Sequence, residues 1–344
     1  MRLLIILMAL MLAACERAET NGVTELVYAT PYSPNHPFSQ ADQDWMKFVE
    51  TESNGAIKIR PSWSGALLSS DQSMEELRHD VADIGLITPI YTKGGAHLIR
   101  IQSGFYSGAK TVESQVELYH CLAQDNPEFA RELKGLKVLA VQGGSLPGIV
   151  TKNVAVRTLS DLKGLRIRAP TELLNVLKDL GADPVNMPMG DVYSALAKDI
   201  IDGVVAPGDT FKALHFAEVS HHFYQIEIPR GAYPARAMAL QKWNSLSVTD
   251  REVLERGVKV WEQALAYHTE KSVKEGLEVA RAAGVEFQDV TPGDQQEFDA
   301  LYLREAQRNA RTLQRYGIDG MSTFKTARAS IGPDSTIKCE GKSL

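Results

Sequence analysis

The segment Leu159-Ser160-Asp161-Leu162-Lys163-Gly164-Leu165-Arg166-Ile167-Arg168-Ala169-Pro170 ends a short β-rich run, Arg166 to Ala169, with a proline that cannot donate to a sheet ladder. Behind it, Glu172 to Leu180 carries Leu173, Leu174, Leu177 and Leu180 on one face at helical spacing, the pattern of a helix packed on a core. A second helical pattern, Asp191 to Lys198, leads into another β-rich run at Gly203 to Ala206. Strands alternating with helices predict an α/β fold with a largely parallel sheet.

The same alternation extends to both sides. Upstream, strands are expected at Leu26–Thr30, Ala56–Arg60, Asp83–Ile87, Leu136–Gln142 and Gly148–Asn153, with helices at His36–Ser53 and Asp71–Asp80. Downstream, Thr249-Asp250-Arg251-Glu252 reads as a capping box opening a helix that stops before Gly284. Val253, Leu254, Val258, Trp261, Leu265, Val273, Leu277 and Ala280 recur along it at three- and four-residue steps. At 1.5 Å per residue such a helix runs about 50 Å, wider than a small domain, so it must lie across two lobes. Gly257 and Gly276 are the positions where it would bend or break. A last helix starts after Thr291-Pro292 and runs towards Gly317, and the tail from Ser330 reads as loosely held.

The chain has 344 residues, beyond the size at which a single core keeps growing, so two lobes are expected. With 43 acidic and 37 basic residues its formal net charge is −6, and no basic run offers the positive footprint a nucleic acid needs. Met1-Arg2 followed by the apolar run Leu3 to Leu12 has the build of a secretory signal peptide. Leu12-Ala13-Ala14-Cys15 resembles the bacterial lipobox, which makes residues 1–14 a lipoprotein signal and Cys15 the lipidated residue; an ordinary cleavage site with an incidental cysteine is the competing reading. No later stretch approaches the length of apolar chain that spans a bilayer, so any membrane attachment is through the lipid. Cys121 and Cys339 remain, and an oxidising compartment permits them to pair, although spacing does not decide it.

Enzyme and cofactor signatures are missing. Gly143-Gly144-Ser145-Leu146-Pro147 ends in proline where a nucleophile elbow needs glycine. There is no H-E-x-x-H, G-x-G-x-x-G or G-x-x-x-x-G-K-[ST] pattern, and adjacent His221 and His222 point to opposite faces of a strand. The expectation is therefore no metal, no cofactor and no catalysis.

The ordered series D-L-K-G-L-R-I-R-A-P at Asp161–Pro170, L-G-A-D-P-V at Leu180–Val185, D-V-Y-S-A-L at Asp191–Leu196 and D-G at Asp202-Gly203 resembles the solute-binding proteins of tripartite ATP-independent periplasmic (TRAP) transporters, the dicarboxylate-binding-protein family. His36-Pro37, Ala82-Asp83-Ile84-Gly85 and Phe216-Ala217-Glu218-Val219 extend the likeness over nearly the whole chain. The resemblance implies a two-lobed periplasmic binding protein clamshell, type II-like, with crossing hinge strands and a long helix bracing both lobes. One lobe would hold residues 24–141 and about 225–265, the other 142–224 and about 266–330, with 331–344 as a tail. It also implies an extracytoplasmic or periplasmic protein that closes over a small organic carboxylate and hands it to membrane-embedded TRAP subunits. The alternatives are a binding protein of another transporter type, a sensory lipoprotein or a secreted enzyme.

The second arginine of the I-R-x-P block, here Arg168, is the family's ligand anchor, and a guanidinium fork suits a carboxylate. By position in the family pattern, Thr171, Met189 and Ala206 face the cleft from the second lobe, with Asp209 close by. Tyr32, Asn35, Ser70, Thr88 and Tyr91, with the neighbouring Thr30, face it from the first, and Tyr233 closes one side. Trp63 and Phe105 read as core. The sequence departs from the family twice. Val204-Val205-Ala206-Pro207 puts Ala206 where the family has a ligand-contacting asparagine, and the region Gly143–Gly148 lacks an arginine that many members carry. Unmatched ligand hydroxyls cost about 1–3 kcal/mol each when buried, so a ligand with one carboxylate and an apolar body is expected.

Overall fold

In the computed structural model, which describes residues 22–92 and 94–339, the β-rich runs become eleven strands. They are β1 (Thr24–Ala29), β2 (Ile57–Ser62), β3 (Ile84–Leu86), β4 (Leu136–Gln142), β5 (Gly148–Thr151), β6 (Arg166–Arg168), β7 (Asp183–Val185), β8 (Gly203–Ala206), β9 (His222–Tyr224), β10 (Tyr233–Ala239) and β11 (Glu286–Gln288). Two sheets form, in the orders β2-β1-β3-β10-β4 and β11-β9-β5-β8-β6-β7. Each is the centre of one lobe, and the expected clamshell is found. Cys15 and the leader lie outside the described residues.

The sheets are mixed rather than simply parallel. β10 runs antiparallel to β3 and β4, and β5 runs antiparallel to β8 and β9. These are the two strands that enter a lobe from the other one. Residues 143–147 carry the chain from β4 to β5, and residues 225–232 carry it from β9 back to β10. A strand arriving from the hinge side must run against those that lead toward it. The composition of β5 and β10 gives no hint of this.

The long helix forms without interruption over Val248–Ala282. Its cap is Ser247, whose Oγ accepts from the Asp250 amide at 3.0 Å, two residues before the expected capping box. The glycines that were candidates for a bend serve as close-approach points instead. A Cβ on Gly257 would lie 2.7 Å from Trp45 Nε1 in the first lobe, and one on Gly276 would lie 2.1 Å from the Gly208 carbonyl oxygen in the second. The helix therefore touches each lobe through a residue with no side chain. Between them Trp261 stacks on Trp45 at 3.7 Å between ring centres.

The C-terminal segment corrects the expected division. Phe298 and Tyr302 pack in the second lobe, but Ala306, Ala310, Leu313, Phe324 and Ala327 pack with Leu98, Phe105 and Leu118 of the first. Residues 306–330 thus belong to the first lobe's core, because the helix Pro292–Thr312 crosses between lobes on its own. The tail is also held more firmly than expected. Cys121 and Cys339 form a disulfide with Cα atoms 5.3 Å apart, Ile331 bridges Ile337, and Ile337 is buried. Trp63 and Phe105 pack among core residues, as expected.

If Gly276 sets the distance between the helix and the second lobe, Gly276→Val destabilises the fold by about 1–3 kcal/mol, the range for overpacking a tight contact. Denaturant melts of the two proteins check this. An unchanged midpoint would show that the Gly208 carbonyl moves aside freely.

Candidate functional site

Arg168 is the last residue of β6, paired beside Val185 of β7 and Val204 of β8. That places it at the carboxyl ends of parallel strands, where open α/β sheets bind ligands. Its side chain is only 2% exposed. Nε donates to the Met187 carbonyl at 2.9 Å, and Nη2 donates to the Tyr91 hydroxyl at 2.7 Å. Tyr91 sits in the 3-10 turn Pro89–Tyr91 of the first lobe, so this bond joins the two halves of the clamshell.

What Arg168 lacks is a carboxylate. Among the described residues no acid lies within ion-pair distance of it. Arg236, also deeply buried, is fully enclosed but sits 2.8 Å from Asp42 Oδ1, which also accepts from Trp261 Nε1 at 2.8 Å, while Asp42 Oδ2 accepts from the Tyr28 hydroxyl. The structure thus compensates one interior cation and leaves the other with two neutral oxygens. A buried charge without a counter-ion costs several kcal/mol, which an incoming anion would relieve.

Arg168 opens onto a cavity of about 80 Å³ between the lobes. Tyr91, Met189 and Tyr233 line it together with Ile90, Pro147, Pro170, Leu173, Val205, Pro207 and Pro229, a wall of carbon atoms and proline rings, while Ser103, Glu172 and Arg230 add polar groups to the lining. Tyr233 is fixed by Gln142, whose Nε2 donates to its hydroxyl at 3.2 Å, and Gln142 Oε1 accepts in turn from Arg236 Nη1 at 3.1 Å. The compensated ion pair therefore positions a wall of the uncompensated one's cavity.

The remaining expected residues divide. Tyr32 stacks on His36 behind the cavity, its hydroxyl close enough to Tyr91, Tyr233 and both nearby arginines for their charges to act on it. Burial raises its pKa. Asp209 lies under the cavity with Oδ1 unpartnered, and burial raises its carboxyl to about 6 against the opposing pull of Arg230. Ala206 is buried, and it is its chain neighbours Val205 and Pro207 that reach the cavity. Thr171 is not part of the lining, whereas the residues on either side of it, Pro170 and Glu172, are. Asn35 is exposed. Thr88 donates its hydroxyl to the Ser70 carbonyl, so that pair is engaged with itself.

Two charged lining residues escape the sequence reading. Glu172 follows the I-R-x-P block by two residues and is buried against Ser103 and Gly104 of the first lobe. Arg230 lies in the second crossing segment, and its guanidinium rests on Gly144 of the first, where a Cβ would be 2.3 Å from Cζ. The absence of a side chain at Gly144 was the available signal, but it is readable only once the two crossings are known to be adjacent.

The sequence model of the bacterial extracellular solute-binding proteins, family 7 (DctP), matches residues 28–310. The chain belongs to this family. Among curated relatives, the 2,3-diketo-L-gulonate-binding periplasmic protein YiaO of Escherichia coli is 34% identical over 108 residues, 29% of this chain and 33% of that protein. The sialic acid-binding periplasmic protein SiaP of Vibrio cholerae is 30% identical over 117 residues, 32% of this chain and 34% of SiaP. Among solved structures, a TRAP solute-binding protein from Rhodoferax ferrireducens T118 holding copurified benzoate superposes with a TM-score of 0.81 at 25% identity, covering 89% of this chain and 97% of that one. This TRAP solute-binding protein is thus a member of a ligand-carrying family, not of an enzyme family, and its relatives are periplasmic.

The raised Asp209 carboxyl has a measurable consequence. Its folded pKa lies above its unfolded one, so the folded protein holds the extra proton between about pH 4 and 6, and stability falls as pH rises through that window. Asp209→Asn is expected to remove about 2 kcal/mol of this pH-dependent loss. Urea melts of both proteins at the two ends of the window test this, and parallel curves would show that Asp209 titrates normally.

Proposed function

We propose that the protein captures a small organic monocarboxylate with a largely apolar body, binding the acid group at Arg168 and releasing it to the TRAP membrane subunits. The observation that carries this is the buried Arg168 guanidinium, which has no ion pair among the described residues and opens onto a cavity walled largely by proline, aliphatic and aromatic side chains. Two of its donors are held by Met187 and Tyr91, which fixes the plane of the fork before the ligand arrives. The remaining donors are available to a carboxylate. Ala206 adds no side-chain hydrogen bond, and the Glu172 carboxyl beside Arg230 disfavours a second acid group. The benzoate held by the Rhodoferax relative supports the same chemistry.

Binding operates by closure. Tyr91 belongs to one lobe and Arg168 to the other, so a ligand lodged between them stabilises only the closed arrangement. The net charge of the whole chain is negative and does not attract anions, which leaves recruitment to the local field of the cleft. Arg168→Met is expected to leave the fold intact and to weaken carboxylate binding by about 2–5 kcal/mol, the range for truncating one partner of a buried charge pair. Calorimetric titration with aromatic and branched monocarboxylates reads this directly. Unchanged affinity would remove Arg168 from the site, and a preference for diacids would overturn the monocarboxylate reading.

The leader supports a further element of this reading: the mature protein is tethered by lipid on Cys15. Expressed in a Gram-negative host, the wild type is then expected in the membrane fraction and to partition into detergent, while Cys15→Ser appears free in the periplasm. Equal partitioning of the two would favour an ordinary signal peptide.

A further inference from the structure

Two buried polar atoms on the cavity wall have no hydrogen-bond partner among the described residues: Ser103 Oγ and Glu172 Oε2, in residues 4% and 9% exposed. The half-buried Arg230 joins them, and its charge acts on Glu172 through space. All three line the same cavity as Arg168. The backbone holds them side by side: a Cβ on Gly231 would lie 2.5 Å from Ser103 Cα, and one on Gly104 would lie 3.6 Å from Glu172 Cβ. Ser103 comes from the first lobe, Glu172 from the second and Arg230 from the crossing between them. Native structures seldom leave two such atoms orphaned together.

The chemistry of the three restricts what completes them. Arg230 can only donate, and an ionised Glu172 can only accept. A group seated between them must therefore accept from one and donate to the other. A hydroxyl does both, and the Ser103 hydroxyl can adapt to either need. A hydrocarbon pairs with none of the three. An ammonium has no acceptor for Arg230 and faces its charge. A second carboxylate accepts from Arg230 but brings negative charge against Glu172, whose burial already disfavours its own ionised form.

We propose that Ser103, Glu172 and Arg230 form a second subsite for a hydroxyl carried by the ligand, so that the preferred solutes are hydroxy-substituted monocarboxylates. This rests on the reading of Arg168 as the acid anchor and adds a polar handle for an otherwise apolar body. Arg230 is then a specificity-determining residue positioned by Gly144, and Glu172 distinguishes an alcohol from a second acid.

Calorimetric titration of the purified protein with two matched series tests the assignment: benzoate, its meta-hydroxy derivative and its meta-dicarboxylate, and butyrate, β-hydroxybutyrate and succinate. In at least one series the hydroxy acid is expected to bind about tenfold or more tighter than the bare acid, because a site built for a hydroxyl penalises its loss. Arg230→Met, Glu172→Gln and Ser103→Ala are each expected to shrink that preference. Ser103→Ala removes a single oxygen and keeps the test valid if either charge variant fails to fold. Equal binding of bare and hydroxy acids, abolished in both cases by Arg168→Met, overturns the second subsite and leaves the anchor standing. Tightest binding of the diacids overturns it in favour of a second acid site. Binding of none of the six, with Arg168→Met indistinguishable from wild type, removes the anchor and the second subsite together.

Discussion

Among the described residues two arginines are deeply buried, and only Arg236 has a carboxylate within ion-pair distance. Arg236 is held by Asp42, which gathers Trp261 and Tyr28 as well, and this cluster ties β1, the first helix, β10 and the long helix into one lobe. Arg168 has a carbonyl and a phenol but no anion. In a medium of low polarity the difference amounts to several kcal/mol. The rest of the site is intelligible as a consequence: a cleft shaped around a charge that the fold itself does not satisfy. Because Gln142 links Arg236 to Tyr233, the satisfied pair also braces the cavity of the unsatisfied one.

The long helix shows how the two halves are kept in relation. It presents a side-chain-free position to each lobe, Gly257 against Trp45 and Gly276 against Gly208-Asp209, so both contacts are backbone-close and leave little room for sliding. The chain passes between the lobes without regular structure at residues 143–147 and 225–232, and as a helix at Pro292–Thr312. Pro147 and Pro229 restrict the backbone within those crossings and also line the cavity, so hinge and binding surface are partly the same atoms.

Much of this was legible in the amino-acid pattern. The four family blocks lead to the clamshell and to Arg168 and Tyr91 as cleft residues, and the long helix is visible as an amphipathic repeat. What the pattern misses has physical causes. Gly257 and Gly276 read as weak points because helix propensity is local, whereas their role depends on what approaches from another part of the chain. The antiparallel strands β5 and β10 follow from the direction in which the chain re-enters a lobe, which composition does not encode. Residues 306–330 read as part of the second lobe because a helix that crosses between lobes looks the same as one that stays. Arg230 and Glu172 escape notice because an isolated arginine or glutamate is ordinary, and only their place on the cavity wall makes either unusual. Of the residues expected from their position after strands, Asn35 is exposed, and Thr88 spends its hydroxyl on the Ser70 backbone carbonyl.

The phenol of Tyr91 and the carbonyl of Met187 each take one donor of Arg168, the first from the opposite lobe and the second from the same lobe. The guanidinium plane is thereby set by the lobes themselves, so the orientation of whatever it grips is decided by how the lobes meet. Rotating one lobe away from the other would undo the Tyr91 bond and that orientation together, which couples the strength of the grip to the degree of closure.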